Sequence, residues 1–155
     1  MSVLEGRSNS VTVTSYSQIP ALLVEFVPEA ADLIEEEADM PLHEAVRDDD
    51  FALGYFNLLG NVLSYPLLMP QLRAEDPDRD LVARCFAFVE KLMESPEDGI
   101  RSAAHFQCLE PLLDAGGLLE RALPFMGERT REEAAKMVRF YAVEVDDETR
   151  RQLGL

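Results

Sequence analysis

Tryptophan is absent from this sequence, and cysteine and histidine occur only twice each. Cys85 and Cys108 are both set among apolar residues at helical spacing, so we expect two buried, reduced thiols and no disulfide framework. The longest apolar stretches are short and broken by Pro or Gly, and the N-terminal segment lacks a signal-peptide core. These absences predict a soluble cytoplasmic protein that does not span a membrane.

Basic residues are also scarce, with 14 Lys and Arg against 30 Asp and Glu, for a formal net charge of -16. A surface of this sign repels phosphate groups, so we expect binding neither to nucleic acid nor to an anionic membrane. Hydrophobic residues make up 47% of the chain, an ordinary globular value that excludes wholesale disorder. The composition predicts a folded, acidic protein that attracts basic partners.

Much of the charge is concentrated in one acidic run, "ADLIEEEADMPLHEAVRDDD" at residues 31–50. Nine carboxylates against one arginine give this run a charge of -8, half of the net charge. The run is either a solvated helix end with its loop, or a docking face for a basic protein with an uncharged centre nearby. On the second interpretation the partner-binding residues are Glu35, Glu36, Glu37, Asp39, Glu44, Asp48, Asp49, Asp50, Asn57 and Asn61.

Motifs for catalysis, cofactors and metals are missing. The chain has no glycine-rich dinucleotide or phosphate loop and no H-E-x-x-H zinc motif. Asp76, Asp78 and Asp80 start a calcium-loop pattern, but Leu81 stands where Gly is required and Ala87 where Glu is required. We therefore predict no cofactor, no metal and no catalytic residue.

His105 is the one residue that could serve acid–base chemistry in a pocket. It shares a helix face with Cys108, but the spacing of His43, Cys85, His105 and Cys108 matches no common zinc site. Nucleophilic catalysis is not indicated either, because no glycine-rich nucleophile elbow accompanies these residues. One interpretation is a hydrogen-bonded core histidine. The other is a small helical enzyme or ligand-binding domain with a pocket near His105.

Helical patterns dominate the chain, and the only strand-like alternation is Val11 to Thr14. The sequence predicts an all-α fold, an irregular array of about seven or eight helices with stacked helical hairpins. A flexible segment at residues 1–15 precedes a single domain at 16–155. Pro20 and Pro28 suit first helical turns, and Asp48, Asp49 and Asp50 are candidate N-caps for a helix that starts near Phe51.

The helix predicted from Phe51 belongs to a stretch, residues 51–72, that contains no charge. Such a helix either lies at the centre of the bundle or is covered by a partner. The partner can be a second copy of the chain, in an oligomeric structural protein that uses this helix as its seam. Its expected buried face contains Phe51, Tyr55, Phe56, Leu59, Val62 and Leu63. Its expected polar face contains Gly54, Asn57, Gly60, Asn61 and Ser64.

A helical hairpin follows, whose first arm is opened by "DPDRD" and is broadly apolar through Cys85, Phe88 and Leu92. Two capping boxes are predicted after it, Ser95 with Asp98 and Thr130 with Glu133. The second box leads into the apolar stripe of Ala134, Met137, Val138 and Tyr141. Pro111 should interrupt the second arm of the hairpin, and Asp146 or Asp147 should cap a last short helix.

The hairpin segment "FAFVEKLMESPEDGIRSAAHFQCLEPLLDAGG", residues 86–117, resembles a widespread group of small bacterial helical proteins considered candidate immunity proteins of polymorphic toxin systems. Phe86, Phe88 and Glu90 carry the resemblance in the first arm, and the pairs Leu109-Glu110 and Leu112-Leu113 carry it in the second. These are packing residues, so no binding residue follows from them. The resemblance implies a compact helical binder that neutralises a basic, nuclease-type toxin.

Overall fold

The structure, a computed structural model, describes residues 12–47 and 54–155. These residues form nine helical stretches, seven of them at least seven residues long, with no strand among them, so the all-α prediction is confirmed. One stretch runs from α4 through a π-helix, π1 (Leu59–Leu68), into α5, and another from α7 through π2 (His105–Leu109) into a 3-10 turn. The α-helices are α1 (Ile19–Phe26), α2 (Ala30–Ala38), α3 (Leu42–Ala45), α4 (Tyr55–Leu58), α5 (Met69–Arg73), α6 (Arg79–Met93), α7 (Asp98–Ala104), α8 (Leu118–Ala122), α9 (Glu128–Phe140) and α10 (Asp147–Gln152).

Helix α6 is the centre of the fold and packs against α1, α7, α9 and π1. Asp78 begins it by accepting a hydrogen bond from the Leu81 backbone N–H at 3.1 Å, which satisfies one of the free donors of the first turn. Its apolar stripes then bury Cys85, Phe88 and Leu92 completely, as the helical spacing predicts. The hairpin of α6 and α7 is the predicted one, with Glu94 to Glu97 as its connection.

The two π-helices lie against each other. The Ser64 hydroxyl of π1 donates to the Gln107 carbonyl of π2, so one segment bonds directly to the backbone of the other. A Cβ at Gly60 would collide with the end of the Gln107 side chain, so any larger residue there would have to displace that amide group. The contact joins the uncharged helix to the second arm of the hairpin.

This contact also changes which face of the uncharged helix is buried. Gly60 and Ser64, expected on the polar face, are buried, whereas Phe56, expected on the apolar face, is 46% exposed. For Gly60 and Ser64 the expectation assumed a repeat of 3.6 residues, but both lie in π1, and a π-helix bonds residue i to i+5 and rotates successive side chains differently around the axis. Phe56 precedes π1, in α4. Leu59, Val62 and Leu63 are buried as predicted.

Both predicted capping boxes are wrong. Helix α7 begins at Asp98 after Glu97, while the Ser95 hydroxyl donates to the Val13 carbonyl at 2.6 Å. Helix α9 begins at Glu128 after Gly127, so Thr130 lies inside its first turn. The Ser95 Oγ also accepts the Glu97 N–H at 3.1 Å, before the helix begins, and the Thr130 hydroxyl donates to Glu90 of α6. Neither side chain therefore caps the helix that its pattern predicted. Asp146 does cap α10, by accepting from the Thr149 backbone N–H at 2.8 Å.

Some predictions fall partly outside the described residues. These are the N-caps Asp48, Asp49 and Asp50, the helix start near Phe51, and residues 1–11 of the segment 1–15. Within that segment Val13 is fully buried in the core.

Candidate functional sites

Helices α2 and α3 pack against each other and present the described half of the acidic run to solvent. We call this surface the acidic face, defined by five exposed residues. Among the ion pairs of the described residues, none involves any of the five. The acidic face consists of Glu35, Glu36, Glu37, Asp39 and Glu44.

Three of these carboxylates occupy an unfavourable place, the last turn of α2. The carboxyl end of a helix carries partial negative charge, which disfavours acids, and this turn contains no basic residue to offset them. Asp39, which follows the helix, adopts a left-handed conformation with φ of 55°. The local sequence therefore places charge where it costs helix stability.

Glu35 differs from its neighbours because it has a structural contact. Its Oε2 accepts a hydrogen bond from the Leu42 backbone N–H at 2.8 Å and so holds the start of α3 against the end of α2. For Glu36 and Glu37 the structure gives no such bond. The acidic face is therefore built on one structural carboxylate and its exposed neighbours.

The predicted uncharged centre lies on α4 and π1, and π1 packs directly against α2. Asn57 and Asn61 are both exposed there, as a docking face requires. Two large side chains that the sequence did not assign to this surface are exposed on the same elements, Phe56 at 46% and Tyr65 at 50%. Tyr65 lies in π1, whose turn the sequence pattern did not reveal, whereas Phe56 lies in α4 just before it.

A second cluster surrounds His105, at the start of π2. Its Nδ1 lies 2.9 Å from Glu133 Oε2 of α9, and its Nε2 lies 3.7 Å from Glu110 Oε2. The Nδ1 atom is buried and forms no aligned hydrogen bond, although the Glu133 carboxylate lies close to it. His105 is thus half-buried between two carboxylates and is not the hydrogen-bonded core histidine that its spacing favoured.

Aromatic side chains extend this cluster into an open cleft of about 270 Å³ between π2 and the end of α9. Tyr141, predicted to continue the apolar stripe of α9, is 41% exposed, and its hydroxyl donates to Glu110, which raises the pKa of Tyr141. We call this the His105 cleft. It is lined by His105, Phe106, Glu133, Lys136, Met137, Phe140 and Tyr141.

The cysteines and metal-type residues form no comparable site. Cys85 and Cys108 are free and buried, and burial raises the pKa of each thiol to about 12, so both are protonated at neutral pH. Within residues 12–47 and 54–155, His, Cys, Asp and Glu nowhere converge in threes in a way that could hold a metal ion. The carboxylates beside His105 approach different ring nitrogens and do not share one ligand position.

No helix in the described part of the chain is both long enough and apolar enough to cross a membrane. Comparisons with protein-family models, with curated proteins and with solved structures find no match to this chain.

Proposed function

We propose that this protein is an acidic helical protein-binding module whose acidic face docks a basic partner protein. The observation that supports this most directly is the Glu35, Glu36, Glu37 series in the last turn of α2. Carboxylates at this end of a helix lower its stability, and departures from local stability rules are concentrated at functional sites. A basic partner would neutralise these carboxylates, so the repulsion that destabilises the free helix end would be relieved on binding.

The surroundings of the acidic face fit an interface. Protein interfaces commonly combine a less charged centre containing aromatic residues with a polar rim. Phe56 and Tyr65 are exposed on the neighbouring uncharged stretch, together with Asn57 and Asn61. The acidic rim would accelerate encounter with a basic protein, and the aromatic side chains would supply buried area after contact.

The more specific proposal is an immunity protein that neutralises a basic, nuclease-type toxin. The resemblance of residues 86–117 to candidate immunity proteins supports this partner class, and the acidic face supports it independently. A nuclease carries positive charge where it binds phosphates, so a negative surface of this kind can occupy the same site. Inhibition would then follow from competition with the nucleic-acid substrate.

Co-purification with the tagged chain tests this proposal. The wild-type chain should retain a basic protein at low salt and release it at high salt, because exposed charge pairs are screened. The variant E36Q/E37Q/D39N/E44Q should retain much less. A matched control, D76N/D114N/E132Q/E144Q, changes the net charge equally at exposed acids outside the acidic face. It should behave like wild type.

The outcomes separate the alternatives. A retained basic protein with nuclease activity, inhibited on addition of the pure wild-type chain, supports the immunity role. A retained basic protein without such activity supports only the binding module. Retention of nothing but the chain itself would favour a homo-oligomer that uses the uncharged stretch, and equal losses in both variants would show that net charge, not the acidic face, governs binding.

A further inference from the structure

We infer that the His105 cleft binds an organic cation, namely the guanidinium or ammonium group of an alkyl chain. The cleft combines the Glu133 carboxylate with exposed aromatic rings in one concave place, and Glu110 lies next to its His105 wall. This inference does not depend on the acidic face, since the cleft is built from π2, the following 3-10 turn and α9.

Glu133 supplies the main charge for such a ligand. Its side chain is only 25% exposed, and in the described part of the chain His105 is its one close ionisable partner, without hydrogen-bond alignment. A half-buried carboxylate gains more from a charge-assisted hydrogen bond than an exposed one does, because water competes less. A planar guanidinium could bond both of its oxygens.

Glu110 supplies a second negative charge on the other side of the imidazole. Its Oε2 lies 3.7 Å from His105 Nε2 and accepts the Tyr141 hydroxyl. This arrangement fixes the carboxylate at the edge of the cleft without neutralising it. Glu110 and Glu133 thus place two negative charges beside His105, and the positive charge of Lys136 in the cleft wall opposes them in part.

The walls of the cleft are aromatic. Phe106 and Phe140 are 46% and 82% exposed, and the Phe140 and Tyr141 rings stand edge to face with centroids 5.1 Å apart. Exposed rings attract a cation through the negative charge of their faces, most strongly where water is excluded. Rings and carboxylates together distinguish an organic cation from a hydrated metal ion.

Lys136 is the group that opposes this ligand. It lines the cleft one turn after Glu133, is exposed, and the structure gives it no hydrogen bond or ion pair. Arg101 faces the adjoining hollow but is held by Asp98 and by the Ser95 carbonyl. Removing the Lys136 charge should therefore strengthen cation binding, whereas removing Glu133 should weaken it.

Titration of the full-length protein with ethylguanidinium, followed by NMR shifts or calorimetry, tests the inference. Ethylurea is the matched neutral probe with nearly the same shape. Ethylguanidinium should bind in preference to ethylurea, E133Q should weaken its binding about tenfold, and F106A about threefold. K136Q should tighten binding, and E132Q, at an exposed acid on the same helix outside the cleft, should leave it unchanged.

Two further ligands identify the source of the cation. Binding of a doubly capped arginine as tight as that of ethylguanidinium assigns the cleft to an arginine side chain of a protein, whereas weaker binding assigns it to a free small cation. Equal binding of ethylguanidinium and ethylurea, or equal affinities of E133Q and E132Q with unchanged circular dichroism, would overturn the inference. Neither result would bear on the acidic face.

Discussion

Glu90 of α6 caps the start of α9, a helix that begins 38 positions later in the chain, at Glu128. Its carboxylate accepts the backbone N–H groups of Arg129 and Thr130, each at 2.9 Å, and the Thr130 hydroxyl at 2.7 Å. A Cβ at Gly127 would stand 2.5 Å from the Glu90 carboxyl carbon. The carboxylate therefore reaches the free amide groups because residue 127 has no side chain.

This arrangement predicts coupling between positions 90 and 127. E90A removes three accepted hydrogen bonds at a helix start and should destabilise the fold by about 2 kcal/mol. G127A should cost about 1 to 3 kcal/mol in the wild-type background, because the new methyl group displaces the carboxylate. Added to E90A it should cost much less. Urea denaturation of the two single variants and the double variant measures the coupling.

G116A is the matched control for this cycle, since a Cβ there meets nothing within 4 Å. It should change stability little in either background. Strict additivity of E90A and G127A would mean that Glu90 does not occupy the position described here.

Phe88 provides the strongest test of the core. It is fully buried on α6, and its ring lies 6.3 Å from that of Phe26. F88A leaves a cavity and should cost about 3 to 5 kcal/mol. The denaturation midpoint should fall sharply, whereas F140A, at a largely exposed ring, should leave it almost unchanged. Similar midpoints for the two variants would contradict the packing.

Glu29 predicts a pH dependence in the acid range. Arg84 binds its two oxygens at 2.8 Å each, and these hydrogen bonds lower the pKa of Glu29 from 4.5 to about 2. The pKa of Glu29 is lower in the folded state than in the unfolded state. The ion pair's contribution to the free energy of unfolding is therefore complete above pH 4.5 and is lost as the pH falls towards 2. The stability difference between wild type and E29Q should therefore shrink as pH falls from 4.5.

The same comparison with D76N, an exposed acid on the connection before α6, is the control. The stability difference between wild type and D76N should not shrink in the way expected for E29Q. If the difference in unfolding free energy between wild type and E29Q stays constant from pH 7 to pH 3, the ion pair does not lower the pKa of Glu29 to about 2.

Sequence patterns identified the parts of the fold that local periodicity controls. The stripes through Cys85, Phe88 and Leu92 are buried, and Asp146 caps α10, because spacing alone decides these features. The π-helices were missed because their register depends on a tertiary contact, the bond from Ser64 to Gln107. Thr130 was misassigned as a cap for the same kind of reason, since Glu90 comes from a distant helix.

The acidic face could be predicted from the sequence, whereas the His105 cleft could not. Exposure of Glu36 and Glu37 followed from their density in the sequence, and the structure places both at the surface. For the cleft, the sequence pointed only to His105 as a residue that could line a pocket. Glu133 and Tyr141 reach it from α9, and no spacing along the chain relates them to His105. Charge density is a local property, whereas a cleft requires the packed fold.

The last turn of α2 predicts a stability gain on neutralisation. E36Q and E37Q remove negative charge from the carboxyl end of the helix, so each should stabilise the fold by about 0.3 to 1 kcal/mol at low salt. E35A should destabilise it, because the Leu42 N–H loses its acceptor. Thermal denaturation at two salt concentrations measures all three. Destabilisation by E36Q or E37Q would mean that these residues are retained for folding.

The central claim is that the acidic face exists for association with a basic protein. Long-range attraction raises the association rate, and the salt dependence of that rate reports the charges responsible. The E36Q/E37Q/D39N/E44Q variant should fold at least as stably as wild type. It should nevertheless bind the basic partner more slowly, with a weaker dependence on salt.

The decisive measurement is the association rate constant with the co-purified partner as a function of ionic strength, for wild type, this variant and the D76N/D114N/E132Q/E144Q control. The account predicts that the rate and its salt slope fall strongly in the acidic-face variant and only slightly in the control. Equal rates and equal slopes for all three proteins would contradict it, and would leave the acidic face as an ordinary solvated surface.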